Sequence, residues 1–314
     1  MKESIERGLA EARTGAVLNE VFDSSKPLRT AAITELSDLD RAEIALFRER
    51  WAAVAAERRR EIIGRMAELA EDNFDLSFEK VFLNVLSDPD PMVRAAAASG
   101  LVLSENGEVA TRLVRMLTDD RSGPVRVAAA LSLGKFVLQA ERGEIPDSRV
   151  DRVRNALLAI IADRGQSAEL RRRALESISA WSSPQVTDLI ASAYRSAEPG
   201  FKASAIYAMG MNCDARWLPA LFAEMGTPNV KVRYEAAHAA GEIGEPSAVS
   251  HLLPLLNDSD VEVRTAAVWA LGQIGGKAAQ GALRGLARDP NEKVRQAVEE
   301  ALSEITFHDG SISL

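Results

Sequence analysis

VRYEAAHAAGEIGEPSAVSHLLPLLNDSDVEVR, residues 232–264, spans one full period of this chain. It opens on Val232-Arg233 and closes on Val263-Arg264, the same apolar–basic dipeptide 31 residues later. Outward from this stretch, the pair recurs as Leu170-Arg171, Phe201-Lys202 and Val294-Arg295 on the 31-residue ruler. Val93-Arg94 and Val125-Arg126 stand 32 apart. A fixed period of this size marks stacked supersecondary units rather than one globular core.

With the basic residue as position 0, each period reads as helix–turn–helix. Position −4 holds Asp90, Ser122, Ser167, Glu198, Asn229, Asp260 and Asn291. All but Glu198 are good N-caps, so a helix, termed B, begins at each copy. Pro91 and Pro199 follow at the first helical position, where a missing N–H costs nothing. Positions −1, +3 and +7 form an apolar i, i+4, i+8 stripe, as in Val263, Ala267 and Leu271. Glycine recurs at +8 (Gly134, Gly210, Gly241, Gly272), and Gly244 and Gly275 at +11 mark the helix ends. Shorter amphipathic runs between them, such as SAVSHLLPLLND (247–258), are the A helices. Neither helix can bury its stripe alone, so stacking supplies the core.

The first 74 residues are degenerate but in phase. Ser25 to Ala32 match positions −4 to +3 of a first unit, and Arg60 lies 31 after Arg29. The count is about nine units, organised as a degenerate cap over 1–74, the array over 75–306 and a C-terminal tail over 307–314, with TFHDGSISL (306–314) expected to fray. Between Arg126 and Arg171 the spacing is 45, so 14 residues are extra. This insert centres on QAERGEIPDSR (139–149), whose Gly and Pro break helices.

Among 314 residues only 5 % are aromatic, and alanine is abundant. That composition suits closely packed helices and is poor for sheets. A net charge of −8 argues against a general nucleic-acid binder. The single cysteine, Cys213, excludes an intrachain disulfide and fits a reducing compartment. No run reads as a signal peptide or a spanning helix, so the expectation is a cytosolic chain without membrane association.

DSDVEVRTAAVWALGQIGG (258–276) and VRYEAAHAAGEIGEPSAVSHLLPLL (232–256) resemble short HEAT repeats of the phycobilisome-lyase-like type. The resemblance implies an all-α fold, a right-handed α-solenoid of about nine HEAT-like hairpins. It also implies a structural ladder in which an Asp near the inter-helix turn pairs with the Arg that starts helix B. Asp88, Asp120, Asp258 and Asp289, each six before an Arg, supply it in four units. Two enzymatic precedents come with the resemblance. HEAT-repeat deoxyhypusine hydroxylases hold iron with several His-Glu pairs. This chain has only His238, His251 and His308, and reads Tyr234-Glu235 at the matching place. Phycobilin lyase subunits share the fold, and an enzyme or enzyme subunit of that kind is the alternative reading.

No phosphate-binding loop, HExxH or cysteine zinc pattern occurs. The expectation is therefore no catalytic residue, no metal site and no cofactor. The informative positions are those that point outward. At 100° per residue, +5 lies opposite the core stripe, flanked by +1 and +9. Position +5 reads Ser99, Leu131, Glu176, Tyr207, His238, Trp269 and Glu300, and Tyr234 sits at +1. In solenoids of this family the B helices usually line the concave side. Tyr207, Tyr234, His238 and Trp269, with Glu176, Glu242 and Glu300 at the flanks, are expected to form a partner-binding ridge. The partner would be a protein or peptide carrying basic residues. The competing reading is that these rings lie flat over small Ala and Gly and merely cover backbone. RERWAAVAAERRREIIGR (48–65) is a second patch, basic around Trp51 and so a conceivable nucleic-acid surface. Its interleaved Glu49, Glu57 and Glu61 mark instead a solvated helix laced by ion pairs.

Overall fold

The computed structural model describes the backbone of residues 2–102, 104 and 106–311, and the side chains of 12–102, 104 and 106–307. The described residues contain no β-strand and form eighteen α-helices, which alternate A and B along nine repeats. None of these helices is long and apolar enough to cross a membrane. The chain divides at Leu170/Arg171 into two compact units.

The first unit holds α1 (Lys2–Val21), α2 (Thr30–Thr34), α3 (Arg41–Trp51), α4 (Ala56–Asp72), α5 (Glu79–Val85), α6 (Pro91–Gly100), α7 (Gly107–Asp119), α8 (Gly123–Glu141) and α9 (Asp151–Ala162). Helix α10 (Ala168–Ile178) leads into the second unit. There follow α11 (Pro184–Tyr194), α12 (Phe201–Met211), α13 (Leu218–Glu224), α14 (Val230–Ile243), α15 (Val249–Leu252), α16 (Val261–Ile274), α17 (Gly276–Gly285) and α18 (Glu292–Ser311). Even-numbered helices are the B helices.

The core stripe is where the period places it. Val263, Ala267 and Leu271 on α16 are fully buried, as are Ala205 and Met209 on α12. The +8 glycines explain how B helices come so close. A Cβ on Gly241 would stand 2.7 Å from Ala270 Cα, and one on Gly210 would stand 2.8 Å from Ala239 Cα. Ala239 and Ala270 both occupy +6 of the next repeat, so a Gly-to-Ala contact recurs along the second unit.

Capping follows the sequence with two exceptions, one of them Ser122, whose side chain makes no cap hydrogen bond to α8. Asn229 and Asp260 accept from first-turn amides of α14 and α16, and Gly244 ends α14 at φ +72. Pro199, expected at the first helical position, lies outside α12, whose N-cap is Gly200 at φ +82. The left-handed glycine delays the helix, and Glu198 turns to Arg171 instead, 3.0 Å away. The insert lengthens α8 to 19 residues before a loop that turns at Gly143, φ +73. The tail is not frayed from residue 306. Helix α18 continues to Ser311, with Ile305 buried near its end, and residues 312–314 lie outside the described residues.

The expected ladder is present with a different register. Arg233 donates to the Asp258 carboxylate at 2.7 and 2.8 Å, and Arg94 donates to Asp120 at 2.8 and 2.9 Å. In each case the acid belongs to the following repeat. The arginine's own turn offers only main-chain carbonyls: Asp88 O to Arg94, and Thr227 O to Arg233. Repeats without the Asp use other groups, with Gln166 for Arg126, Glu198 for Arg171 and Glu224 for Lys202. Where it forms, the ladder ties a repeat to the next rather than closing a turn on itself; Arg264 is an exception, donating to the Asp258 and Ser259 carbonyls of its own turn.

Candidate functional site on the second unit

Every described +5 side chain from Ser99 to Glu300 is at least partly exposed, as the helical geometry requires. In the second unit this column runs from Glu176 on α10 through Tyr207, His238 and Trp269 to Glu300 on α18. His238 and Trp269 stack with centroids 4.0 Å apart and planes 7° from parallel. Tyr234 extends the stack, 6.2 Å and 27° from His238. Adjacent B helices thus share one aromatic stack.

That stack is seated on backbone. Trp269 Cζ3 lies 2.7 Å from where a Cβ on Gly241 would sit, so the indole covers the glycine. His238 and Trp269 are half-buried, whereas Tyr207 is 40 % exposed and stands apart from the stacked rings. Tyr207 is therefore the ring most available to a partner. The flat-lying reading describes Trp269; the outward-facing reading describes Tyr207.

The acidic residues divide similarly. Glu176 accepts from Arg173 at 2.8 Å and from Ser204 Oγ at 2.6 Å. Glu242 Oε1 lies 3.8 Å from His238 Nδ1, and its side chain is about one-third exposed. Among the described residues Glu300 accepts only from Gln296, on its own helix, and does not join the others. The Tyr207 phenol is pushed above its ordinary value by burial, and then by the carboxylates of Glu176, Glu242 and Glu235. Burial pulls His238 below its ordinary value, with Glu242 opposing.

Glu235 is the residue the outward-facing argument passed over. It sits at +2 on α14, half-buried, with no hydrogen-bonded or ion-paired side-chain partner among the described residues. Burial raises its carboxyl, Glu176 adds to the rise, and Lys231 and Arg173 oppose it. The sequence does carry a signal. Position +2 is alanine in four repeats (Ala96, Ala128, Ala266, Ala297) but reads Arg173, Ser204 and Glu235 in three consecutive ones. Those three polar residues flank the column at the point where Tyr207 stands.

The Arg-rich segment 48–65 forms no basic face. Arg58 and Arg59 are buried, pairing with Glu61 and Asp88. Arg60 pairs with Asp90 and Arg65 with Glu68, while Arg50 donates to Gly15 O and Asn19. Trp51 stacks on Phe47 and donates to Asp88 at 2.8 Å, leaving its ring unavailable to a base. The histidines likewise do not gather. His251 lies flat on Phe222 of α13, 3.7 Å away, in an A-helix contact. The side chain of His308 lies outside the described residues.

A family model of HEAT repeats matches residues 79–147 and 218–303. No curated protein matches the chain. Among solved structures, human deoxyhypusine hydroxylase in complex with glycerol is similar at 17 % identity. That match covers 97 % of this chain and 99 % of the other, with a TM-score of 0.38. YibA of E. coli matches at 15 % identity over 90 % and 98 %, TM-score 0.47. The complex of CpcE and CpcF of phycocyanin lyase from Nostoc matches at 20 % over 72 % and 94 %, TM-score 0.45. Likenesses at this level do not bear on activity.

Proposed function

Since the chain is built of HEAT repeats, we propose that it is a non-catalytic interaction scaffold that docks a basic peptide segment on the B-helix face of its second unit. The observation that carries this reading is the exposed ring of Tyr207 on α12 between Glu176 on α10 and the half-buried Glu235 on α14, carboxylates near enough, with Glu242, to raise its phenol. Glu235 is half-buried with no ion-paired side chain among the described residues, Lys231 and Arg173 acting on it only at a distance, and an incoming guanidinium or ammonium would stabilise its charged form. Tyr207 adds contact area at low entropic cost and a ring face for the same cation. Because charge complementarity sets association rate and specificity, such binding weakens with added salt.

The test is a peptide array of random sequences probed with labelled protein at low and at physiological salt. The expected result is enrichment of Arg- and Lys-containing peptides, lost in a Tyr207→Ala/Glu235→Gln variant that retains the wild-type helical spectrum. No enrichment, or equal retention by the variant, overturns the assignment of this face.

A further inference from the structure

We infer that the loop inserted between α8 and α9 completes a second, separate binding site, one that takes a small apolar carboxylate such as a medium-chain fatty acid. The repeat period leaves this insert unexplained, because a 31-residue hairpin closes without it. In the structure it walls a cavity of about 280 Å³ within the first unit. The interior is apolar: Val114 from α7, Phe136 from α8, Ile145 from the insert and Val153 from α9 all line it.

Its charged lining is of one sign. Arg149 and Arg152 line the cavity, both exposed, and among the described residues no Asp or Glu does. Neither arginine has an ion-paired or hydrogen-bonded side-chain partner among the described residues. Their neighbours do: Arg154 is paired with Asp147 at 2.8 Å, and Arg112 with Glu108 at 2.6 Å. The nearby acids in those pairs are thus already matched, and two guanidinium groups are left over in a chain of net charge −8. Gly107, the first residue of the 13-residue helix α7, lines the same cavity and brings the positive end of that helix to it.

A partly open, mainly apolar cleft with a few directional polar groups is a usual form of a small-molecule site. Guanidinium groups match a carboxylate bidentately. The ligand that satisfies both features has an apolar body of cavity size and one terminal carboxylate. A cationic head of the same length meets two like charges, and a short carboxylate leaves the apolar space empty.

The experiment titrates decanoate into the full chain by calorimetry, below its micellar concentration, with decyltrimethylammonium and acetate as comparison ligands. Saturable binding of decanoate alone is expected. Arg149→Glu/Arg152→Glu weakens it about tenfold or more, and Val114→Trp, which fills the cavity, abolishes it. Arg149→Gln/Arg152→Gln gives the same direction should charge reversal disturb folding. No saturable decanoate binding overturns the proposal, as does equal affinity for the ammonium ligand or unchanged affinity in the arginine variants. Tyr207 and Glu235 are untouched in every arm, so the outcome is independent of the basic-peptide reading.

Discussion

The imidazole of His238 lies flat against the indole of Trp269, 4.0 Å between centroids and 7° from parallel. One ring comes from α14 and the other from α16, so the stack joins two successive B helices. The indole also roofs Gly241 of the first of them. This contact buries His238 and holds it neutral more firmly than an exposed histidine.

Trp269→Ala should move the His238 titration back up toward the ordinary histidine value, because burial is the main cause of its depression. The sign for stability follows. As pH falls through the ordinary histidine range, the unfolded chain takes up a proton first, so stability declines until the folded value is passed. In the variant that decline is shallower. The ring carbon and proton shifts of His238, followed by NMR against pH, check it; an unmoved titration means that the stack does not control the histidine.

Glu235→Gln should stabilise the chain at neutral pH while removing basic-peptide binding. The carboxyl is raised chiefly by burial. Its unfolded form therefore ionises first as pH rises, and wild-type stability is lost between the unfolded and folded values. The amide does not ionise, so the loss disappears. Urea midpoints of both proteins on either side of that window read the difference. Equal midpoints at high pH would show that the buried charge is tolerated without cost.

Asp258→Ala should destabilise the second unit by about 1–3 kcal/mol, since it removes the carboxylate that Arg233 Nε and one terminal nitrogen donate to, leaving only main-chain carbonyls. Both side chains are mostly buried, at 12 % and 9 % exposure. The Asp258 carboxyl is held low by the Arg233 hydrogen bonds, against burial and with help from the Asp260 amide. Its contribution is complete above the unfolded carboxyl value and is lost as pH falls through the lowered folded value. Denaturant midpoints for wild type and variant should therefore converge in acid. A gap that persists at low pH would assign the loss to packing rather than to the ion pair.

Gly241→Ala and Cys213→Gly should act in opposite directions although both exchange small residues. A Cβ at 241 meets Ala270 Cα at 2.7 Å, so the helices must part, at a cost of about 1–3 kcal/mol. Cys213 stands at +11, where the next two repeats have Gly244 and Gly275, and it holds φ +52. Glycine there removes left-handed strain and stabilises by roughly 0.5–1 kcal/mol after its own entropy cost. Thermal midpoints of the two variants decide the matter. A stabilised Gly241→Ala would mean that the glycine serves helix flexibility rather than close approach.

The sequence by itself determined the repeat, its count, the buried stripe, most of the caps and the outward column, because each depends on spacing along a single helix. Val263, Ala267 and Leu271 must share a face whatever lies opposite, and +5 must point away from it. Tertiary structure decided everything that depends on the distance between helices. Which acid answers Arg233 is one such matter: the next repeat's Asp258 lies within reach, while the arginine's own turn offers main-chain carbonyls. Another is the fate of Trp269, an outward position whose ring folds down because glycine at 241 leaves room for it. Glu235 was invisible from its own helix, since its meaning comes from Glu176 and Tyr207 on two other helices. The Arg-rich 48–65 segment looked basic in one dimension, but in three its Arg58, Arg59, Arg60 and Arg65 are paired with acids up to 30 residues away. Periodicity fixes directions around one axis; contacts between axes require the packed interface, where a single methyl group changes the spacing.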